Sequence, residues 1–98
     1  MGGGQFTPTA VGVTPIPGNK KRGGLLVVNT DGAVTVYLQP VATMPSAITT
    51  TSAPIAIGPG LSFSISILQH GAPELVGSAW QAIGSGTATA VTTWVELS

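Results

Sequence analysis

The chain has 98 residues, a length that suits one domain and can hide roughly 60–70% of its unfolded surface. Charged residues make up 6% of it, net charge is zero and 43% of residues are hydrophobic, whereas an ordinary soluble domain is about 25% charged. With no cysteine, a disulfide framework and thiolate metal sites are excluded; the hydrophobic fraction argues against disorder.

Near-zero net charge also leaves little repulsion between copies. A surface of Ser, Thr, Gly and Ala is what a chain can carry when much of that surface meets other protein, so composition points to a component of an assembly. No apolar run approaches the ~20 residues needed to span a bilayer, and no membrane partner is expected. The start, "MGGGQFTPT", lacks the basic and apolar regions of a secretory signal. Phe6 stands where a myristoylation signal needs Ser or Thr.

In chain order, residues 1–9 read as an extended N-terminal arm and residues 10–98 as a single β-sandwich domain. Three glycines have no reason to be ordered alone, so Gly2, Gly3, Gly4, Gln5 and Phe6 are candidate protein-contact residues. The spacing of 14 Gly and 8 Pro leaves few windows for a helix. A first strand is expected loosely over Ala10–Pro15. "LLVVN" (Leu25–Asn29) reads as a central strand buried on both faces. Asp31-Gly32 is a hairpin signal, returning through "AVTVYLQ" with Val34, Val36 and Leu38 on one face.

Met44–Pro54 is expected as a long Ser/Thr-rich surface loop or edge excursion. "IAIGPGLSFSISIL" predicts two strands joined by a type II turn, with proline second and glycine third in Gly58-Pro59-Gly60. After it, Phe63, Ile65 and Ile67 should face inward and Ser62, Ser64 and Ser66 outward. Gln69–Gly77 reads as another loop. "AWQAI" and "TATAVTTWVEL" are the last strands, the final one apolar on both faces, so that it either bends at a bulge or lies between its own core and a neighbour. The fold class is all-β: a compact antiparallel β-sandwich or jelly-roll-like barrel of six to eight strands.

The succession "TPIPGNKKRGGLLVVNTDGAVTVYL", "PIAIGPGLSFSI" and "AWQAIGSGTATAVTTWVE" resembles the small β-sandwich structural proteins of tailed bacteriophages. Those place an Asn and an Arg before an apolar strand ending in Asn, then a Val-Tyr-Leu-like strand, a Pro-Gly turn, an aromatic-x-Ala-Ile strand and a terminal strand carrying Glu. The resemblance covers about residues 11 to 97, and the order of the motifs carries it. It puts Asn19, Arg22 and Asn29 at the pattern's polar positions. The long Ser/Thr loop and "LQHGAPELVG" depart from it. It implies a non-enzymatic virion protein of capsid decoration or cement type, on the outer surface of the capsid. Its implied partners are the major capsid protein and further copies of itself, with a trimer favoured; no cofactor and no nucleic acid are implied. A tail, fibre or head–tail joining subunit is the alternative within the same class.

All the positive side chains lie in "GNKKRGG". Lys20, Lys21 and Arg22 are not a phosphate loop, because the lysines fall between the glycines and Leu25 follows Gly24. Three cations are too few for a nucleic-acid face. A solvated turn before a buried strand, with Arg22 packing or bonding locally, stands against a charged subunit contact made by the three. His70 is the single histidine and no GxSxG elbow accompanies it; with Glu74 it is too little for a metal site. Glu74 and Glu96 as a glycosidase pair would join a loop to the chain's end. Trp80, Trp94 and Tyr37 could stack on sugars in a glycan-binding module, or form core; exposure of both indoles on one face would favour the sugar reading.

Overall fold

The computed structural model describes residues 2–42, 46–67 and 73–97; His70 and Met44 lie outside the described residues. The strands are β1 (Gly3–Phe6), β2 (Val13–Ile16), β3 (Gly24–Asn29), β4 (Val36–Pro40), β5 (Ile55–Ile57), β6 (Ser62–Ser66), β7 (Trp80–Gly84) and β8 (Thr92–Leu97). A single helical turn, α1 (Pro73–Val76), falls in the expected Gln69–Gly77 loop. No described helix is long and apolar enough to cross a membrane.

The strands make two antiparallel sheets, ordered β1-β8-β3-β6 and β2-β7-β4-β5. That is the strand order of an eight-stranded jelly roll. Only the connection from β4 to β5 stays within one sheet; the other consecutive strands alternate between sheets. Between the sheets lies one apolar layer that includes Leu25, Val27, Val36, Leu38, Trp80 and Trp94. β3 sits inside its sheet between β8 and β6, with Leu25 and Val27 fully buried and Leu26 and Val28 partly so.

Asp31-Gly32 does not make the expected hairpin. β3 and β4 lie in opposite sheets, and Gly60 is the one described glycine with positive φ, so Gly32 lacks the conformation a tight two-residue hairpin requires. The segment is instead a corner built around a carboxylate. Asp31 Oδ2 accepts the Ala33 and Val34 N–H groups at 2.9 and 2.8 Å, and Oδ1 accepts those of Thr89 and Ala90 at 2.9 and 3.1 Å. Asn29, fully buried, supports the corner by donating Nδ2 to Val34 O at 2.8 Å and Ile57 O at 3.1 Å. The type II turn forms as its residues dictate, with Gly60 at φ 73° and Leu61 N–H donating to Gly58 O at 3.0 Å. It too joins strands of opposite sheets.

β2 begins three residues later than expected, and it tolerates Pro15 because it is an edge strand with a register shift. In β6, Ile65 faces inward and Phe63 packs against the core, but Ile67 is exposed past the end of the strand. β8 turns Thr92, Trp94 and Glu96 inward and leaves Val95 and Leu97 exposed.

The sheets differ on their outer faces. Over the second sheet, the described part of the Ser/Thr loop folds back: Gln39 Nε2 donates to Ser46 O at 2.7 Å and Ile48 is buried. Ile48 lies so close to Gly12 that a Cβ there would come within 2.6 Å of its Cγ2. On the first sheet, Val95 lies between Gly3 and Leu26, and Thr93 between Gln5 and Val28. Ser64 and Ser62 continue the same two rows. Among the described residues, no charged side chain lies on this face.

The four amides bonded to Asp31 hold its carboxyl far below the usual carboxylate range, Ala33 contributing most, then Val34 and Thr89, against the opposing effect of burial. A carboxyl depressed on folding stabilises the protein fully above its unfolded value of about 3.9, and that stabilisation is lost as pH falls below it toward the folded value. Asp31→Asn is therefore expected to lower the melting temperature at pH 7 and to flatten its decline between roughly pH 4 and pH 2. Thermal unfolding followed by circular dichroism across that range checks both.

Candidate protein-contact site

The basic stretch is a turn whose last residue points into the protein. Arg22 N–H donates to Asn19 O at 3.1 Å, and Lys21 N–H to Asn19 Oδ1 at 3.0 Å. This geometry leaves Lys20 and Lys21 exposed at the tip. Arg22 is 1% exposed, which removes it from the candidate contact residues. A guanidinium has five N–H donors, and here four of them have hydrogen-bond acceptors while the ion pair lies beside the fifth. Nη1 donates to Val76 O at 2.8 Å and Ser78 O at 3.0 Å, and Nη2 to Pro17 O at 2.6 Å. Nε donates to Glu96 Oε2 at 3.0 Å, and Nη2 lies 2.9 Å from the same oxygen in the ion pair.

Glu96 joins this turn to the N-terminal segment. Its Oε2 also accepts Asn19 Nδ2 at 3.0 Å, while Oε1 accepts the Gly2 N–H at 3.0 Å and its own N–H donates to Gly2 O at 2.8 Å. The Asn19 hydrogen bond, then the Arg22 bond and charge, hold its carboxyl below the usual range despite burial. The N-terminal segment is thus extended and docked: Gly3–Phe6 runs as β1 along the β8 residues Thr92–Val95. Its glycines permit the approach. A Cβ on Gly2 would collide with the Glu96 carboxylate, and one on Gly4 would come within 3.0 Å of the Trp94 indole nitrogen. Phe6 packs against the core, and Gln5 is exposed with Nε2 3.3 Å from Thr93 Oγ1.

Of the candidates, Gly2, Lys20, Lys21 and Arg22 are therefore brought together at one end of the molecule. Gly3, Gly4, Gln5 and Phe6 extend from there along the edge of the first sheet. Beside the turn, a cleft of about 470 Å³ is lined by Lys20, Ala42, Pro73, Glu74, Gly77 and Ser78. Lys20, Lys21 and Glu74 are the chain's exposed charged side chains, since Arg22, Asp31 and Glu96 are buried. The sequence offers Glu96 as half of a glycosidase pair and as the Glu of the terminal strand, not as the partner of Arg22. The alternation of Glu96 with Trp94 marks it as inward-facing, and an inward carboxylate requires a partner.

Trp80 and Trp94 are 1% and 8% exposed. Trp80 donates Nε1 to Leu75 O at 3.1 Å, and its ring centroid lies 5.9 Å from that of Phe63. Both indoles belong to the core, so the exposed aromatic pair that would favour sugar stacking is not formed. Asp31 and Glu96 are committed to structural hydrogen bonds. Among the described residues, no three His, Asp or Glu side chains gather as metal ligands. Comparisons with protein-family models, with curated proteins and with solved structures find no match.

Removing one partner of a buried ion pair leaves the other charge and its acceptors unpaired, so Arg22→Met is expected to cost about 3–5 kcal/mol. Lys20→Ala and Lys21→Ala should each stay within about 0.5 kcal/mol of the parent. Urea unfolding of the three variants tests the division between scaffold and surface.

Proposed function

We propose that this protein is a non-enzymatic structural component of a tailed-phage particle. In this reading it is a capsid decoration or cement protein that binds the assembled lattice of the major capsid protein from outside, as a homo-oligomer. The observation that carries the proposal is the distribution of charge. Half of an already small set of charged residues is buried as scaffold. The exterior is then hydroxyl-rich, apolar and neutral away from the Lys20–Lys21 turn and Glu74. A neutral exterior of this kind suits permanent contact with protein, because covering it desolvates few charges. The motif order that resembles phage structural proteins supplies the class. A jelly roll is compatible with it, although the architecture hosts many functions.

The proposed contact surface joins the open edge of β1 to the turn carrying Lys20 and Lys21, which Glu96 holds side by side. Arg22 is the scaffold behind it. A protein that binds only the assembled lattice shifts assembly toward the closed shell by linkage.

Quantitative mass spectrometry of purified particles, relative to the major coat protein, tests the class. Hundreds of copies are expected. A handful would move the protein to the tail or a vertex, and none would overturn the virion reading. Deleting residues 2–5, or introducing Lys20→Glu with Lys21→Glu, is expected to weaken attachment to coat lattices by about tenfold or more, the change produced by roughly 1.4 kcal/mol of lost contact. Undiminished co-sedimentation of both variants with shells would sink the proposed surface.

A further inference from the structure

Each sheet has two edges, and natural proteins blunt such edges with proline, charge, bulges or very short strands. The second sheet follows this rule: β2 carries Pro15 and a register shift, and β5 is three residues long. In the first sheet, β1 is a four-residue, glycine-rich strand. β6, Ser62–Ser66, is the edge that, among the described residues, none of these devices blunts. It has five residues, no proline, no charge and an unbroken register with β3. Leu61 immediately before it is 60% exposed, an apolar side chain for which the fold provides no cover.

The phase of the ladder shows which groups β6 offers. Asn29 N–H donates to Leu61 O at 3.0 Å and Ile67 N–H to Gly23 O at 2.9 Å. Odd-numbered residues of β6 therefore bond to β3. By the alternation of antiparallel pairing, the N–H and C=O groups of Ser62 and Ser64 point away from the sheet. Both serines are exposed.

We propose that β6 pairs antiparallel with β6 of a second copy of this chain, about a two-fold axis at Phe63. Ser62 of each copy then exchanges both main-chain hydrogen bonds with Ser64 of the other, using the groups the monomer leaves outward. Phe63 faces Phe63 of the second copy across a non-hydrogen-bonded site, where side chains approach closely. Leu61 comes to lie opposite Ile65 of the second copy, which covers it. The occupant is a second copy because Ser-Phe-Ser is its own complement when reversed. Small hydroxyls then meet small hydroxyls on the outer face and aromatic meets aromatic beneath, with no charge on either strand to repel. The contact is isologous and closes on itself. It differs from the three-fold assembly that the phage resemblance implies, and it does not depend on the virion reading.

Sedimentation equilibrium on the isolated protein, combined with amide hydrogen exchange, tests it. The parent chain is expected at twice the monomer mass at tens of micromolar, with Ser62 and Ser64 amides that slow as concentration rises. Ser64→Pro removes a donor that faces outward and spares the ladder to β3. Ser62→Lys with Ser64→Lys places like charges opposite one another across the pair. Both variants should sediment at monomer mass with an unchanged far-ultraviolet spectrum, and the lysine pair alone suffices if the proline variant fails to fold. A parent chain that stays monomeric near millimolar concentration would overturn the proposal. So would an oligomer of any size, a trimer included, that persists in the folded variants, or a dimer whose Ser62 and Ser64 amides exchange freely.

Discussion

The ion pair between Arg22 and Glu96 organises one whole end of the molecule. Burying two charges is costly, and their attraction offsets that cost only when the remaining donors and acceptors are also satisfied. Here the guanidinium ties together the carbonyls of Pro17, Val76 and Ser78. The carboxylate in turn fastens Asn19 and Gly2. The start of β1, the turn before β3, the end of α1 and the end of β8 therefore meet at one hydrogen-bonded centre. At the other end of β3, Asp31 performs the equivalent task with backbone amides, joining the β3–β4 corner to the segment before β8.

Two consequences follow for the surface. Because buried hubs hold half of the charged residues, the exterior is nearly neutral, and contacts made by it depend on hydroxyls, apolar side chains and main chain more than on ion pairs. Such contacts respond little to salt, since screening acts on charges. The jelly-roll connections also leave the two sheets unequal. The second sheet has its outer face partly covered by Ser46 and Ile48 and its edges blunted, whereas among the described residues β6 of the first sheet has no proline, charge or register shift.

Features decided within a few residues were legible in the sequence. The type II turn at Gly58-Pro59-Gly60 follows from fixed proline φ and permissive glycine φ, and the serine alternation in β6 follows from the pleat. The partly buried Phe63 and the buried Ile65 agree with that alternation; Ile67 does not, because it lies beyond the strand's end. Features that depend on distant partners were not legible. Asp31-Gly32 has a hairpin's composition, yet the carboxylate finds Thr89 and Ala90 from the other end of the chain, and the strand it introduces joins the opposite sheet. The glycines at the N-terminus look unsupported until Glu96 and Trp94 are placed beneath them. Lys20, Lys21 and Arg22 are alike in a sequence, but only Arg22 lies where a buried carboxylate faces it.

The sequence by itself determined that this is an all-β chain with a neutral, hydroxyl-rich exterior, because composition, turn residues and two-residue periodicity act locally. Only the tertiary structure decided which charges are scaffold, which sheet each strand joins and which strands lie at the sheet edges. Those outcomes depend on residues as far apart in the chain as Gly2 and Glu96, and no local pattern specifies which distant partner a side chain or an unpaired amide will meet.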